Sequence, residues 1–583
     1  MKKKYLLSLA TVTAALLFTG CYDLDRIPQQ ELSPGTFWKT ETHAKQAMMG
    51  CYAALRNNQL YGLFFGRDCL SDIGFGYDSP GYWEISRSLW TPRSNIVMNC
   101  WKDAYDGIRR VNVVIRNVSG MEIDEKTKSE VLGEAKFLRA LFYFFLMNHF
   151  GGVPIYDETV DYDTDYMNLL KTRATLEQTL QFVLKDLSDA IGSLPVKWPQ
   201  SDYGRATKGA AYALRGKVYL YFKEYAKAIP DFEEIVLDPS GKGYGYALYP
   251  EYADLFTQKA HRSSEMIFSL QTFSEIGNAL GMPYAHYMGS NACLGTSWNN
   301  VMPSCDLVDM YECKDGKPFK WDDFIPGFSG SKEVRLKTLR ATLSEKYDSV
   351  KAYPEYLDKL LAMYEQRDPR MKETILLPYT HYLGLVGGKE KMTEFVYAKG
   401  VTTTNGFVVV NRFKNDTHYL YLFRKFVPKG NEGGTIPNTH REYIPIDFPI
   451  IRYADVLLML AECYNEEGRI DDAVKYINLV RSRPSTGLPG INSGPEWLEA
   501  RTKQAVFERI YQERAVEFPA EGLRYFDLKR WGLAKEVMHN REIKDIMGSV
   551  KYVTKFEDRD YLWPIPAGEI DKNPALEQNF GWE

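Results

Sequence analysis

The stretch Arg452-Tyr453-Ala454-Asp455-Val456-Leu457-Leu458-Met459-Leu460-Ala461-Glu462-Cys463-Tyr464-Asn465-Glu466-Glu467-Gly468-Arg469-Ile470-Asp471-Asp472-Ala473-Val474-Lys475-Tyr476-Ile477 decides the fold. Leu457, Leu460, Ala461 and Tyr464 fall at helical spacing, Gly468 supplies a turn, and Ala473 and Ile477 restart the helical period. The stretch therefore predicts two helices folded back on each other. Small residues sit where the helices approach closely, and large ones fill the groove between them.

An earlier segment repeats the pattern. Gly216, Tyr219, Ala228 and Phe232 follow one another in steps of three, nine and four, as do Ala461, Tyr464, Ala473 and Ile477. These steps match the small and aromatic positions of a tetratricopeptide helical hairpin. Two ordinary helix pairs of coincidental spacing are the alternative. Two matching hairpins this far apart predict a mainly α fold, a TPR-like helical-hairpin solenoid interrupted by a long irregular insertion with short strands and loops.

Working outward, helical patterning predicts helices near 41–56, 99–118, 124–149, 174–193, 206–222 and 225–237, then near 350–364, 452–467, 470–483 and 500–518. Between 238 and 450 the helical period weakens and Gly, Pro and Tyr cluster. Strand-like pieces appear at 265–270, 406–410 and 419–426. The chain accordingly divides into 1–20, a tether at 21–40, helical regions at 41–237 and 451–583, and the insertion at 238–450.

Residues 1–20 read as a bacterial lipoprotein signal. Lys2, Lys3 and Lys4 precede an apolar run of 14 residues from Tyr5 to Phe18, followed by Thr19, Gly20 and Cys21. A spanning helix needs about 18 apolar residues or more, so this run is too short to be one. Cys21 is then the acylated N-terminus, anchored to a lipid surface; Phe18 stands where such signals usually carry Leu. Asp23 and Asp25 hint at export to the surface.

The formal charge of −4 falls to about −7 once the three signal lysines are gone, which argues against nucleic acid as a partner. The eight cysteines are Cys21, Cys51, Cys69, Cys100, Cys293, Cys305, Cys313 and Cys463. They form no CxxC pair and read as small buried hydrophobes, with a Cys293–Cys305 bridge left open. Asp161-Tyr162-Asp163-Thr164-Asp165 opens like a calcium loop, but Tyr166 and Thr172 occupy the places that need Gly and Glu. Gly241, Gly243 and Gly245 form a glycine-rich turn without a phosphate-binding fingerprint. No cofactor or metal site is expected. Glu513 and Glu517 lie one helical turn apart on a helix that also carries Arg509 and Arg514, so ion pairing is expected of them rather than a glycosidase dyad.

Two aromatic segments are the binding candidates. The loop within 61–101 offers Asp72, Phe75, Tyr77, Tyr82, Trp83, Trp90 and Asn99; a second patch, 284–300, offers Tyr284, Tyr287 and Trp298. Aromatic faces stack on the C–H faces of sugar rings while amides, Asp and Arg meet hydroxyls. Each of these aromatics could instead simply pin its loop down. Long loops in a compact domain are usually functional, which favours binding for the cluster as a whole.

Gly133-Glu134-Ala135-Lys136-Phe137-Leu138-Arg139-Ala140 and Phe150-Gly151-Gly152-Val153-Pro154 stand near the N-terminus, ahead of the run Arg452 to Arg481. Glu513-Arg514, Glu517, Glu521-Gly522-Leu523-Arg524, Asp527-Leu528 and Arg530-Trp531 follow, with Pro564-Ile565-Pro566, Asn573-Pro574 and Gln578-Asn579 in the tail. In this ordered set the chain resembles the SusD/RagB family of Bacteroidota outer-membrane nutrient-binding lipoproteins over essentially its whole length. Lys136 replaces a more usual Arg, and Pro519 is a departure that ends a helix early. Arg514, Glu517, Glu521, Arg524, Asp527 and Arg530 alternate in sign and are expected to form a structural ion network. The resemblance implies a non-catalytic, surface-exposed glycan binder on the outer face of the outer membrane, partnered with a SusC-like TonB-dependent transporter. RagB-like peptide uptake and a secreted all-helical glycoside hydrolase are the alternatives.

Overall fold

The computed structural model describes residues 37–583 apart from 78–80, 163, 165–168, 274–279, 291–292, 294–296, 347, 387, 399–402, 405–406, 410–418 and 433–443. Cys21 and the tether lie outside the described residues. The longer helices run α1 Glu41–Ala54, α2 Asn95–Ser119, α3 Glu125–Phe150, α4 Leu176–Ser193, α5 Lys208–Tyr221, α6 Tyr225–Leu237, α7 Tyr453–Glu466, α8 Ile470–Arg481, α9 Lys503–Glu517 and α10 Arg524–Arg530. No helix among them is long and apolar enough to cross a membrane.

Helix boundaries follow local chemistry. Asp124 caps α3 by accepting from the Thr127 amide at 2.9 Å. Thr175 and Gln178 close a reciprocal capping box on α4. α9 stops at Glu517, just before Pro519, and the chain turns through Ala520 and Gly522 at positive φ.

The two hairpins seen in the sequence are α5–α6 and α7–α8. A Cβ on Gly216 of α5 would lie 2.6 Å from the Phe232 ring of α6, so only glycine lets these helices approach so closely. The hairpins pack against each other through α6 and α7. Tyr464 hydrogen-bonds Glu233 across this seam, and Arg469 lies 3.8 Å from the same carboxylate. Residues 238–452 leave after α6 and return before α7.

The strands that position the site are β1 Gly74–Gly76, β2 Met266–Leu270, β3 Val301–Pro303 and β4 Phe448–Arg452. β4 runs antiparallel to β2, with Arg452 opposite Met266. Within the insertion, His381–Val386 and Lys389–Val396 form an antiparallel pair that Phe407–Val409 extends. The expected strand at 419–426 shrinks to Leu422–Phe423.

The β2–β4 ladder assembles a buried ionic core. Arg452 donates to Glu265 at 2.9 Å, to Glu517 at 2.8 Å and to Glu521 at 2.8 Å. Arg483 bonds Glu265 and Glu517, while Arg370 bonds Asp368, Glu513 and Glu517. Lys425 donates to Glu521 at 2.6 Å, and burial holds its ammonium down to about 8. Burial alone would raise the Glu517 carboxyl, but Arg483, Arg452 and Arg370 outweigh it and hold it well below the usual range. Removing one member of such a network costs about 3–5 kcal/mol, because its partner is left charged and dry.

The expected ion network is therefore present, but most of its partners come from elsewhere in the chain. Arg514 and Arg530 do share Asp527. Arg514 also reaches Asp455, Arg530 reaches Glu462, and Arg524 reaches Asp72. The seven described cysteines are free, so no Cys293–Cys305 bridge forms.

Candidate ligand-binding face

The two aromatic segments meet through a ladder. β1 pairs antiparallel with β3, setting Phe75 opposite Met302. The ladder continues in register: Tyr77 N donates to Asn300 O at 2.9 Å, Asn300 N to Tyr287 O at 2.7 Å, and Trp298 N to His286 O at 2.7 Å. Gly74 begins β1 where a Cβ would lie 2.3 Å from the Asp68 carbonyl, so the strand packs directly on the preceding turn.

Five of the ten side chains expected at a ligand are instead buried in the core. Phe75 packs on Tyr552 with ring centroids 5.3 Å apart. Tyr82 donates to Leu63 O at 3.0 Å. Trp90 meets Trp563 and Trp582 edge to face at 5.1 and 4.7 Å. Tyr284 stacks on Phe426 at 4.8 Å. Asp72 is gripped by Arg524 and Tyr511; burial would raise its carboxyl, but these partners outweigh that and lower it. For Asp72, Phe75 and Tyr284 the partner lies far away in sequence, and for Trp90 it lies in a tail that folds back, whereas Tyr82 is held by the nearby Leu63.

The remaining aromatics form the accessible face. Trp298 is 45% exposed, and its ring tilts against His286 at 4.3 Å. His286 in turn meets Tyr287 edge to face at 4.5 Å. Tyr77, Trp83 and Tyr287 are half-buried, and Arg87 lies 4.8 Å over the Trp83 ring. Asn99 is half-buried on α2 and makes none of these contacts among the described residues. The buried Asn299 Oδ1 and Ser297 Oγ beside Trp298 have no hydrogen-bond partner among the described residues. An exposed indole with half-buried tyrosine rings nearby can stack on an apolar ring face. Among the described residues, no three His, Cys, Asp or Glu side chains cluster as a metal site.

Residues 264–582 match the SusD family model, and residues 24–220 match the one described as starch-binding associating with outer membrane. The chain belongs to the SusD family. The SusD-like protein P25 of Formosa agariphila is 25% identical over 97% of both chains. The starch-binding protein SusD of Bacteroides thetaiotaomicron is 23% identical over 88% of this chain and 83% of its own. Among solved structures, a SusD-like carbohydrate binding protein from Bacteroides fragilis superposes with a TM-score of 0.73 at 24% identity, covering 93% of this chain and all of the other. A surface glycan-binding protein from Bacteroides thetaiotaomicron, solved with laminarihexaose, gives 0.64 at 19% identity with the same coverage. The SusD-like fold is thus shared over nearly the whole chain.

Proposed function

We propose that this chain is a non-catalytic, surface-exposed glycan receptor. The observation that carries the reading is the exposed Trp298, whose amide is held by His286 O in the segment that leads through Asn300 to Tyr287 and Tyr77. Relatives named for starch and laminarihexaose binding support carbohydrate as the ligand class. Stacking on the indole supplies affinity. In this reading the acylated Cys21 holds the protein on the outer face of the outer membrane, and a SusC-like TonB-dependent transporter takes the captured glycan.

Isothermal titration of residues 22–583 with a panel of neutral glucans and of peptides tests the ligand class. The reading expects a glucan to bind and Trp298→Ala to weaken it by about 10–100-fold with the fold intact, the cost of losing a central aromatic anchor. Binding confined to peptides would overturn it. Co-purification of a large barrel protein from native membranes tests the transporter partnership.

A further inference from the structure

A cavity of about 370 Å³ lies apart from the aromatic face and shares none of its residues. It opens between the loop that follows α4, the turn at 244–246, and β2 with the turn before it. Its volume falls within the range of ligand pockets, about 300–1,000 Å³. Its wall is built rather than incidental. Trp198 donates its indole N–H to Ala206 O at 2.7 Å, and the Arg205 guanidinium covers its ring at 3.7 Å. Arg205 is itself fixed and neutralised by Glu134, at 2.8 Å from Nε. Tyr246 is set by a 2.9 Å hydrogen bond to Thr207.

The charge of the lining is one-sided. Among the described residues, Lys197, Arg205 and Arg262 line the cavity, and no Asp or Glu does. Glu134 satisfies Arg205, but neither Lys197 nor Arg262 has an ion-pair partner among the described residues. Arg262 adopts φ +62°, a strained conformation for arginine, and its guanidinium lies 5.3 Å over the Tyr203 ring. Asp447, the carboxyl whose charge Arg262 feels, is turned to other partners: it accepts from the Thr272 amide and hydroxyl at 2.7 and 2.9 Å and lies 3.8 Å from His261. Ser263, also in the lining, has a buried Oγ with no hydrogen-bond partner among the described residues.

We propose that this cavity is a second saccharide site, selective for a negatively charged sugar residue. Trp198, Tyr203 and Tyr246 offer apolar walls to the ring, and Lys197 and Arg262 meet its anionic group. Carboxylate and sulfate substituents share this chemistry. The inference rests on the reading that the chain captures carbohydrate, and it adds a preference that the aromatic face, which lacks such a pair of unpaired cations, does not supply.

Isothermal titration with an oligogalacturonate, a sulfated oligogalactan and a neutral oligogalactan tests it. The proteins compared are wild type, the double variant Lys197→Met/Arg262→Gln, and Trp298→Ala, each checked for folding by its thermal melt. The expected result is at least tenfold tighter binding of one acidic oligomer than of the neutral one. That preference weakens with salt, disappears in the double variant and persists in Trp298→Ala; whichever acidic oligomer binds tighter names the anion. A preference for the acidic oligomer that survives in the double variant overturns the inference, as does failure of both acidic oligomers to bind. Binding abolished by Trp298→Ala alone overturns this cavity and leaves glycan capture at the aromatic face standing. Acidic binding lost only in the double variant, with nothing bound at Trp298, leaves the cavity standing and removes the aromatic face.

Discussion

Arg524 grips Asp72 across 452 residues of chain, its Nε and Nη2 each donating to a carboxylate oxygen at 2.8 Å, while Tyr511 adds a third bond at 2.9 Å. This fork joins the aromatic loop to α9 and α10 and makes Asp72 an anchor for the ligand face. Asp72→Ala leaves the Arg524 guanidinium buried without its counter-charge. The expected cost is about 3–5 kcal/mol in urea unfolding, with unchanged glycan affinity per folded molecule. Loss of affinity at unchanged stability would make Asp72 a ligand contact instead.

Most of the helices were legible because they carry their own period and ends: the expected 225–237 is α6 to the residue, and 124–149 shifts by one at each end, whereas the helix expected at 350–364 begins only at Leu357, behind a strand at Val350–Ala352. The fate of the loop aromatics was not. Trp90 and Trp298 look alike in sequence, and only the tail folding Trp563 and Trp582 onto Trp90 separates them. Pairing of Glu513 and Glu517 followed from their charges, yet their partners Arg370, Arg452, Arg481 and Arg483 converge only once β2 and β4 pair. The Trp198 cavity is not legible in the sequence for the same reason: three separate segments build it.

Gly216 offers a test of hairpin packing in which two effects oppose. In an open helix Gly→Ala gains about 1 kcal/mol. Here the new Cβ would lie 2.6 Å from the fully buried Phe232 ring, and overpacking of that kind costs about 1–3 kcal/mol. Gly216→Ala is therefore expected to be neutral to destabilising, and Gly216→Val clearly destabilising, in chemical denaturation. A stabilised Gly216→Ala would mean that α5 and α6 are further apart than described.

His149 sets part of the acid limb of stability. Burial lowers its pKa well below the ordinary value, and the Arg67 and Lys529 charges add to this. Its Nδ1–H donates to Phe145 O at 2.7 Å in the neutral ring, and Nε2 has no partner among the described residues. The unfolded chain takes up a proton at this ring below about pH 6.5, and the folded chain does not. Falling pH therefore favours unfolding, by about 1.4 kcal/mol per pH unit from this group alone. His149→Phe removes that contribution. Between pH 6.5 and 5.5 it is expected to lose about 1 kcal/mol less stability than wild type, as read by urea titrations at the two pH values. Parallel losses in the two proteins would show that the ring protonates in the folded state.

Trp90 and Trp298 should separate stability from binding. Trp90 is 2% exposed and wedged between Trp563 and Trp582, so Trp90→Ala opens a cavity and frees the tail, at a cost of about 3–5 kcal/mol. Trp298 has 45% of its surface in water and tilts against His286, so Trp298→Ala should cost under about 1 kcal/mol. Glycan affinity should reverse the order: near wild type for Trp90→Ala held well below its melting temperature, and weakened about 10–100-fold for Trp298→Ala. Paired thermal melts and titrations on the two proteins check this. If Trp90→Ala lost affinity while Trp298→Ala kept it, the ligand face would lie against the C-terminal tail and not on the β1–β3 edge.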